Sequence, residues 1–228
     1  MRAILLAAGL GTRLRPITDT VPKCLVPVKG EPLLEIWLNR LSAAGVGPFL
    51  INTHYLANQV NVFTASSRYA EQITLVHEPV LRGTAATLID NLSFFDGEDG
   101  MLVHADNYCL ADFKDFVRAH SERPSYCLMT MMTFRTDSPS ECGIVELDEK
   151  GVVQAFYEKI AHPPGNIANG AIYILSKEMI NIIKDEIPFA TDFSTEVLGR
   201  FTKRIYTFDA KAPLVDIGTP ERYALANR

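Results

Sequence analysis

A doubly wound α/β fold on a mostly parallel sheet is predicted by three features of the sequence. Strand-like and helix-like segments alternate through residues 1–133, the rhythm of repeated βα units with helices on both faces. The opening segment, residues 1–8, is almost continuously apolar, as a strand buried on both faces must be. After about residue 134 the rhythm changes to paired strands, so a mixed, partly antiparallel back half is expected. The 228 residues exceed the ~150 usual for one domain, yet no repeat, charge block or low-complexity linker divides them. One domain over 1–228 is expected, with 1–133 and 134–228 as its two parts.

Each element has its own signal. Strands are expected at 1–8, 49–53, 72–76, 100–105 and 126–133, and helices at 32–45, 56–65, 84–92 and 110–120. The helix at 32–45 places Leu33, Leu34, Ile36, Trp37, Leu38 and Leu41 at helical spacing and stops at Gly45. Strands 143–147 and 152–157 are joined by Asp148-Glu149-Lys150-Gly151, a hairpin-like turn. Strand 167–175 follows, and Ser176 caps a helix at 177–183. A helix at 192–201, strands at 205–208 and 214–217, and a last helix capped by Thr219 with Pro220 at its first position complete the chain.

Composition bounds the function. The apolar fraction is 47% and the charged fraction 21%, ordinary for a globular chain that buries about 70% of its extended surface and needs no staple. The apolar run at residues 3–8 is far short of the ~20 residues that span a bilayer, so no membrane role and a cytoplasmic location are expected. Net charge is −5, which argues against general nucleic-acid binding. Residues 1–30 nevertheless carry five cations against Asp19 alone, a basic island that suits a local anionic ligand. Cys24, Cys109, Cys127 and Cys142 are far apart with no C-x-x-C pair, and they read as reduced thiols.

The most informative stretch is Leu6-Ala7-Ala8-Gly9-Leu10-Gly11-Thr12-Arg13-Leu14-Arg15-Pro16, continuing to Pro22-Lys23-Cys24. A strand running into Gly-x-Gly is either a strand-end turn or a loop whose amides approach phosphate oxygens without an intervening Cβ. Leu14 stands where a dinucleotide fingerprint needs its third glycine, and no P-loop pattern fits. Arg13 and Lys23 instead follow the glycines, and two cations beside such a loop suit a polyphosphate. Asp106 ends an apolar strand, where ligands meet open α/β sheets, and Asp216 has a similar strand-to-turn setting before Gly218.

These residues, with His77-Glu78-Pro79, Gly83-Thr84-Ala85, Asp106, Glu158-Lys159, Asn169-x-x-Ile172-Tyr173 and Asp216-Ile217-Gly218-Thr219-Pro220, fall in one order over essentially the whole chain. In that order the chain resembles the sugar-1-phosphate nucleotidyltransferases, in the short form similar to mannose- or heptose-1-phosphate guanylyltransferases. The resemblance implies a Rossmann-like sheet with a sugar-binding back half, and transfer from an NTP to a sugar 1-phosphate with release of pyrophosphate. It implies Arg13 and Lys23 as catalytic cations, and Leu6, Ala8, Gly9, Gly11, Thr12, Arg13, Glu78, Gly83 and Thr84 as the nucleotide side. Gly143, Glu158, Lys159 and Asn169 match the sugar-phosphate side, and Asp106 and Asp216 would hold Mg²⁺. The chain departs from the pattern at Cys24, Ile160 and Ala171.

The chemistry needs no Ser-His-Asp set, because a sugar phosphate is already an anionic nucleophile. The stretch around Glu78 and Gly83 is nearest to the guanylyl group, so GTP is the expected donor. The alternatives are a uridylyltransferase acting on N-acetylmuramate 1-phosphate or glucose 1-phosphate, and a cytidylyltransferase for a small phosphorylated metabolite. A nucleotide-sensing module would have no need of both carboxylates and Lys23, and a D-x-D glycosyltransferase is excluded because His104 stands two residues before Asp106. No oligomer interface is legible, and a homo-oligomer stays open.

Overall fold

The computed structural model describes all 228 residues. The first elements are β1 (Arg2–Leu6), the short hairpin β2 (Pro27–Val28) and β3 (Glu31–Pro32), α1 (Leu33–Ala43), β4 (Phe49–Thr53), α2 (Ala57–Ser66), β5 (Ile73–His77) and α3 (Thr84–Asp90). Next come β6 (Gly100–His104), β7 (Asn107–Cys109), α4 (Phe113–Glu122) and β8 (Met129–Arg135). The back half holds β9 (Gly143–Leu147), β10 (Val153–Glu158), β11 (Ile167–Leu175), α5 (Lys177–Glu186), β12 (Ile205–Asp209), β13 (Leu214–Asp216) and α6 (Pro220–Ala226).

One nine-stranded sheet runs through both halves. Strands β5, β4, β1 and β6 lie side by side and parallel. The long β11 pairs antiparallel with β6 through its second half and with β9 through its first, while its other edge carries β8. β8 then pairs parallel with β12, and β9 with β10 in the expected hairpin. Strand β1 shows why the sheet is covered on both faces. Ala3 and Leu5 join a core with α1, α2 and α4, whereas Ile4 and Leu6 join a second core with α3, α5 and residues 193–201.

Three expectations are corrected. Residues 192–201 form no α-helix: Asp192 caps a single π turn at Phe193–Val197, and a 3₁₀ turn follows at Leu198–Phe201. β-Branched Thr195 and Val197, together with Gly199, weaken helix propensity there, and the segment is tied to α3, as described below. The helix expected at 110 starts at Phe113 because the Asp112 carboxylate accepts from the Lys114 and Asp115 amides. The strand expected at 126 starts at Met129. Strands β2, β3 and β7 were too short to show any periodicity.

Chain order reverses between β1 and β6. From β1 the chain moves outward through β4 to β5, then returns to add β6 on the other side of β1. The carboxyl ends of those two strands therefore flank a topological switch point, the place where open α/β sheets bind ligands. The glycine loop leaves β1 at this point, and Asp106 leaves β6 beside it.

Candidate active site

The glycine loop is fixed at its base and open at its tip. The Ala105 amide donates to the Leu6 carbonyl (3.0 Å), and the Ala7 amide donates to Asn52 Oδ1 (2.7 Å) at the end of β4. Gly11 has a φ of +64°, and a Cβ there would meet Thr18 Cγ2 at 2.8 Å, so packing and backbone both require glycine. Gly9 differs. A Cβ at Gly9 would meet nothing within 4 Å, which leaves the loop tip accessible to a ligand.

Four charged side chains converge beside this loop. Lys23 opens a 3₁₀ turn, with its residue only 4% exposed, and its Nζ donates to Asp106 Oδ2 (2.9 Å) and Asp216 Oδ1 (3.0 Å). Arg13 reaches the other oxygen of Asp216 at 3.3 Å. A two-stranded ribbon brings the carboxylates together: β13 pairs with β7, and Asp216 lies opposite Asn107, the neighbour of Asp106. Helix α1 anchors that ribbon, because Trp37 Nε1 donates to the Asn107 carbonyl at 2.9 Å. Burial pushes the Lys23 ammonium toward neutrality, but the charges and hydrogen bonds of Asp106 and Asp216 outweigh it and hold its pKa above the usual lysine value. Asp216 is pushed up by burial, and Lys23, Arg13 and the Gly218 amide together bring it below the usual carboxylate range.

Two cavities meet at this cluster, and His104 and Asp106 belong to the walls of both. The smaller, about 190 Å³, is lined by Leu6, Ala8, Gly9, Glu78, Gly83 and Thr84 of the expected nucleotide side, together with Asn52. Gly11 and Thr12 are not in its wall. The Glu78 carboxylate is already well used: Oε1 accepts from Thr87 Oγ1 (2.5 Å) and Asn52 Nδ2 (3.0 Å), and Oε2 accepts from the Arg82 amide (3.2 Å). Gly83 has φ +93°, and a Cβ would strike the Thr191 carbonyl at 2.4 Å. Thr84 Oγ1 accepts from the Phe193 amide at 2.8 Å, so the π turn is docked onto the Gly83-Thr84 turn.

The larger cavity, about 540 Å³, is lined by Arg13, Gly143, Glu158, Lys159, Asn169 and Asp216 among the expected residues. Lys159 is 65% exposed and sits 3.4 Å from the Glu158 carboxylate. Gly143 leaves room for that carboxylate, since a Cβ would lie 2.7 Å from Glu158 Oε2. Asn169 is held by its own strand: Nδ2 donates to Tyr173 Oη (2.7 Å) and Oδ1 accepts from the Ala171 amide (2.9 Å). Every carried-over residue except Gly11, Thr12 and the buried Lys23 thus lines one of the two cavities.

The structure adds wall residues that the sequence reading passed over. Asn52 and His104 are polar residues at the ends of apolar strands, and that break in pattern is the signal that could have marked them. The buried Nε2 of His104 has no hydrogen-bond partner within the protein. Glu141, Asp192 and Arg222 lie on turns and a helix end with no local signal at all.

Comparison with known proteins places the chain. The family model described as nucleotidyl transferase matches residues 2–228. The chain belongs to this family. It is 29% identical to the mannose-1-phosphate guanyltransferase of Saccharomyces cerevisiae over 98% of its length and 63% of that protein. It is also 29% identical to the mannose-1-phosphate guanylyltransferase of Mycobacterium tuberculosis, over 97% of its length and 62% of that protein. The chain thus spans about three fifths of the length of these curated relatives. Among solved structures it is similar to HddC from Yersinia pseudotuberculosis complexed with GMP-PN. The TM-score is 0.81 at 26% identity, covering 99% of this chain and 97% of that one. A UDP-glucose pyrophosphorylase complexed with UDP-glucose shares the fold at TM-score 0.82 and 20% identity.

The three departures from the nucleotidyltransferase pattern have visible settings. Cys24 is fully buried behind Lys23, and burial pushes its thiol up to about 12, so it stays a neutral packing group. Ala171 holds a left-handed φ of +55° where the family pattern has glycine. Ile160 is 39% exposed at the end of the Glu158-Lys159 stretch. Asp106 and Asp216 suit a magnesium ion in chemistry. Both carboxylates point at one spot, the Lys23 ammonium, and magnesium needs only one or two carboxylates when waters and substrate phosphates complete its shell.

Proposed function

We propose that the chain transfers a nucleotidyl group from an NTP, with GTP favoured, to a sugar 1-phosphate, releasing pyrophosphate. One observation carries this reading. Lys23, Arg13, Asp106 and Asp216 converge at the switch point of the sheet, and two cavities meet at Asp106. Two substrates meeting at one reacting centre need that arrangement. The smaller cavity would take the nucleoside, and the larger, walled largely by residues after 133, the sugar phosphate. The names of the relatives and the GMP-PN complex of HddC support guanine as the base.

A phosphate oxygen of the sugar phosphate attacks the α-phosphorus of the NTP as the bond to the bridging oxygen of pyrophosphate breaks, and the electron pair leaves with pyrophosphate. The protein's task is positioning plus charge cancellation. Backbone at the open Gly9 tip would approach the phosphates, and Lys23 and Arg13 would stabilise the charge that develops on them. Mg²⁺ held by Asp106 and Asp216 would supply further positive charge against the phosphates. The test is pyrophosphate release with Mg²⁺, crossing GTP, UTP, CTP, dTTP and ATP with mannose-, glucose-, heptose- and N-acetylmuramate 1-phosphates and phosphocholine. Turnover with GTP and a hexose or heptose 1-phosphate is expected. Turnover on phosphocholine alone, or on no pair, would overturn the reading.

A further inference from the structure

The larger cavity presents an electrostatic problem to the substrate just assigned to it. Its wall carries Asp106, Glu141, Glu158, Asp192 and Asp216 against only Arg13, Lys159 and Arg222. Each of those cations is already held by a carboxylate: Arg13 by Asp216, Lys159 by Glu158 and Arg222 by Glu141. Lys23 answers Asp106 and Asp216 from behind the wall, but a sugar phosphate, close to a dianion at neutral pH, meets no free cation on the wall itself unless one exchanges its partner.

The three pairs are not equally free to exchange. Asp216 is shared with the buried Lys23, so Arg13 sits in a connected cluster. Lys159 is 65% exposed and offers a solvated point charge. Arg222 is 30% exposed, and Glu141 is the sole partner of its guanidinium. The Glu141 carboxylate in turn holds nothing but Arg222. Breaking this pair therefore strands no third group, and the remaining guanidinium donors are free for bidentate recognition of a phosphate. Arg222 also follows Asp216 closely along the chain, on the first turn of α6, and shares the same cavity wall.

We infer that Arg222 is a receiving cation for the phosphate of the sugar substrate, and that Glu141 is an internal stand-in for that phosphate until the substrate displaces it. This rests on the proposed function, because it assigns the phosphate of that reaction's acceptor. Glu141 then competes with substrate, so substitutions at the two ends of one ion pair should act in opposite directions. A merely structural latch between α6 and the turn before β9 would weaken in the same direction from either end.

The experiment is steady-state pyrophosphate release on the whole chain, giving KM for each substrate separately, with mannose 1-phosphate and GTP as first probes and any other productive pair in their place. Arg222→Gln should raise KM for the sugar phosphate roughly tenfold to a hundredfold, the scale of a lost charged hydrogen bond, and leave KM for the nucleotide unchanged. Arg222→Lys should recover part of the loss. Glu141→Gln should lower KM for the sugar phosphate several-fold, and this variant decides the matter if Arg222→Gln does not fold. A rise in that KM with Glu141→Gln, or equal changes in both KM values with Arg222→Gln, overturns the inference while wild-type turnover keeps the proposed function intact. Absence of turnover by the wild-type chain with every pair overturns both.

Discussion

Lys23 is almost wholly buried and touches two carboxylates, and that setting makes it the most sensitive residue of the site. Its ammonium is bound to Asp106, which belongs to the walls of both cavities. Replacing it with methionine should cut kcat by ~10²-fold or more, on the scale of losing a transition-state donor. A Lys23→Met variant with unchanged turnover would remove it from the chemistry. Gly9 makes the complementary prediction. Its missing Cβ faces open space, so Gly9→Ala should change unfolding free energy by no more than about 0.5 kcal/mol. The same change should raise KM for the nucleotide, because a methyl group would then stand between the backbone and a phosphate. At this scale the sequence exposed most of the site, since Gly9, Arg13, Lys23, Asp106 and Asp216 sit in motif order. It hid Arg222 and Glu141, whose meeting depends on tertiary packing between a helix and a distant turn.

At the scale of elements, the two segments that frame the smaller cavity hold each other. The Gly83-Thr84 turn contacts residues 191–193 through the Ala85 amide, which donates to the Thr191 carbonyl, and through Thr84, which accepts from the Phe193 amide. Gly83→Ala would force a Cβ against that carbonyl and strain a φ of +93°. Its unfolding free energy should fall by about 2 kcal/mol or more, a drop in Tm of roughly 4 °C or greater, read by thermal denaturation. A variant as stable as wild type would show that the two segments are not coupled. This coupling also explains why an expected helix is absent. Periodicity reports which face is apolar, and Phe193, Val197, Leu198 and Phe201 are indeed buried. It does not report that the first turn must open to meet α3. Similarly, apolar runs announced β1, β4 and β6, whereas the three-residue β7, which pairs with the expected β13 and so brings Asp106 and Asp216 together, is too short to carry a pattern.

For the molecule as a whole, acid is the expected weakness. His120 of α4 is buried, with Nε2 donating to Asp99 (3.3 Å) and Nδ1 accepting from Thr130 Oγ1 (2.8 Å); Asp99 also accepts from the Lys177 amide at the start of α5. Burial keeps His120 below its usual pKa of 6.5 despite Asp99. An unfolded chain would therefore bind a proton near pH ~6.5 that the folded chain refuses, so stability falls as pH drops through that value. Asp99 works in the same direction at lower pH, because the His120 hydrogen bond and the Lys177 amide hold its carboxyl below 3.8. Thermal denaturation from pH 8 to 5 should show Tm declining below about pH 6.5, with a shallower decline in His120→Gln. A flat profile in the wild type would contradict this. The central claim concerns the reaction and its place, so the most direct measurement follows the α-phosphate itself. GTP labelled at that phosphorus is incubated with Mg²⁺ and a sugar 1-phosphate, side by side for the wild type and Asp106→Ala. The account predicts label in the nucleotide sugar and none in pyrophosphate, with a rate loss of ~10²-fold or more in the variant. Label released as a free nucleotide, or transfer at an undiminished rate without Asp106, would contradict it.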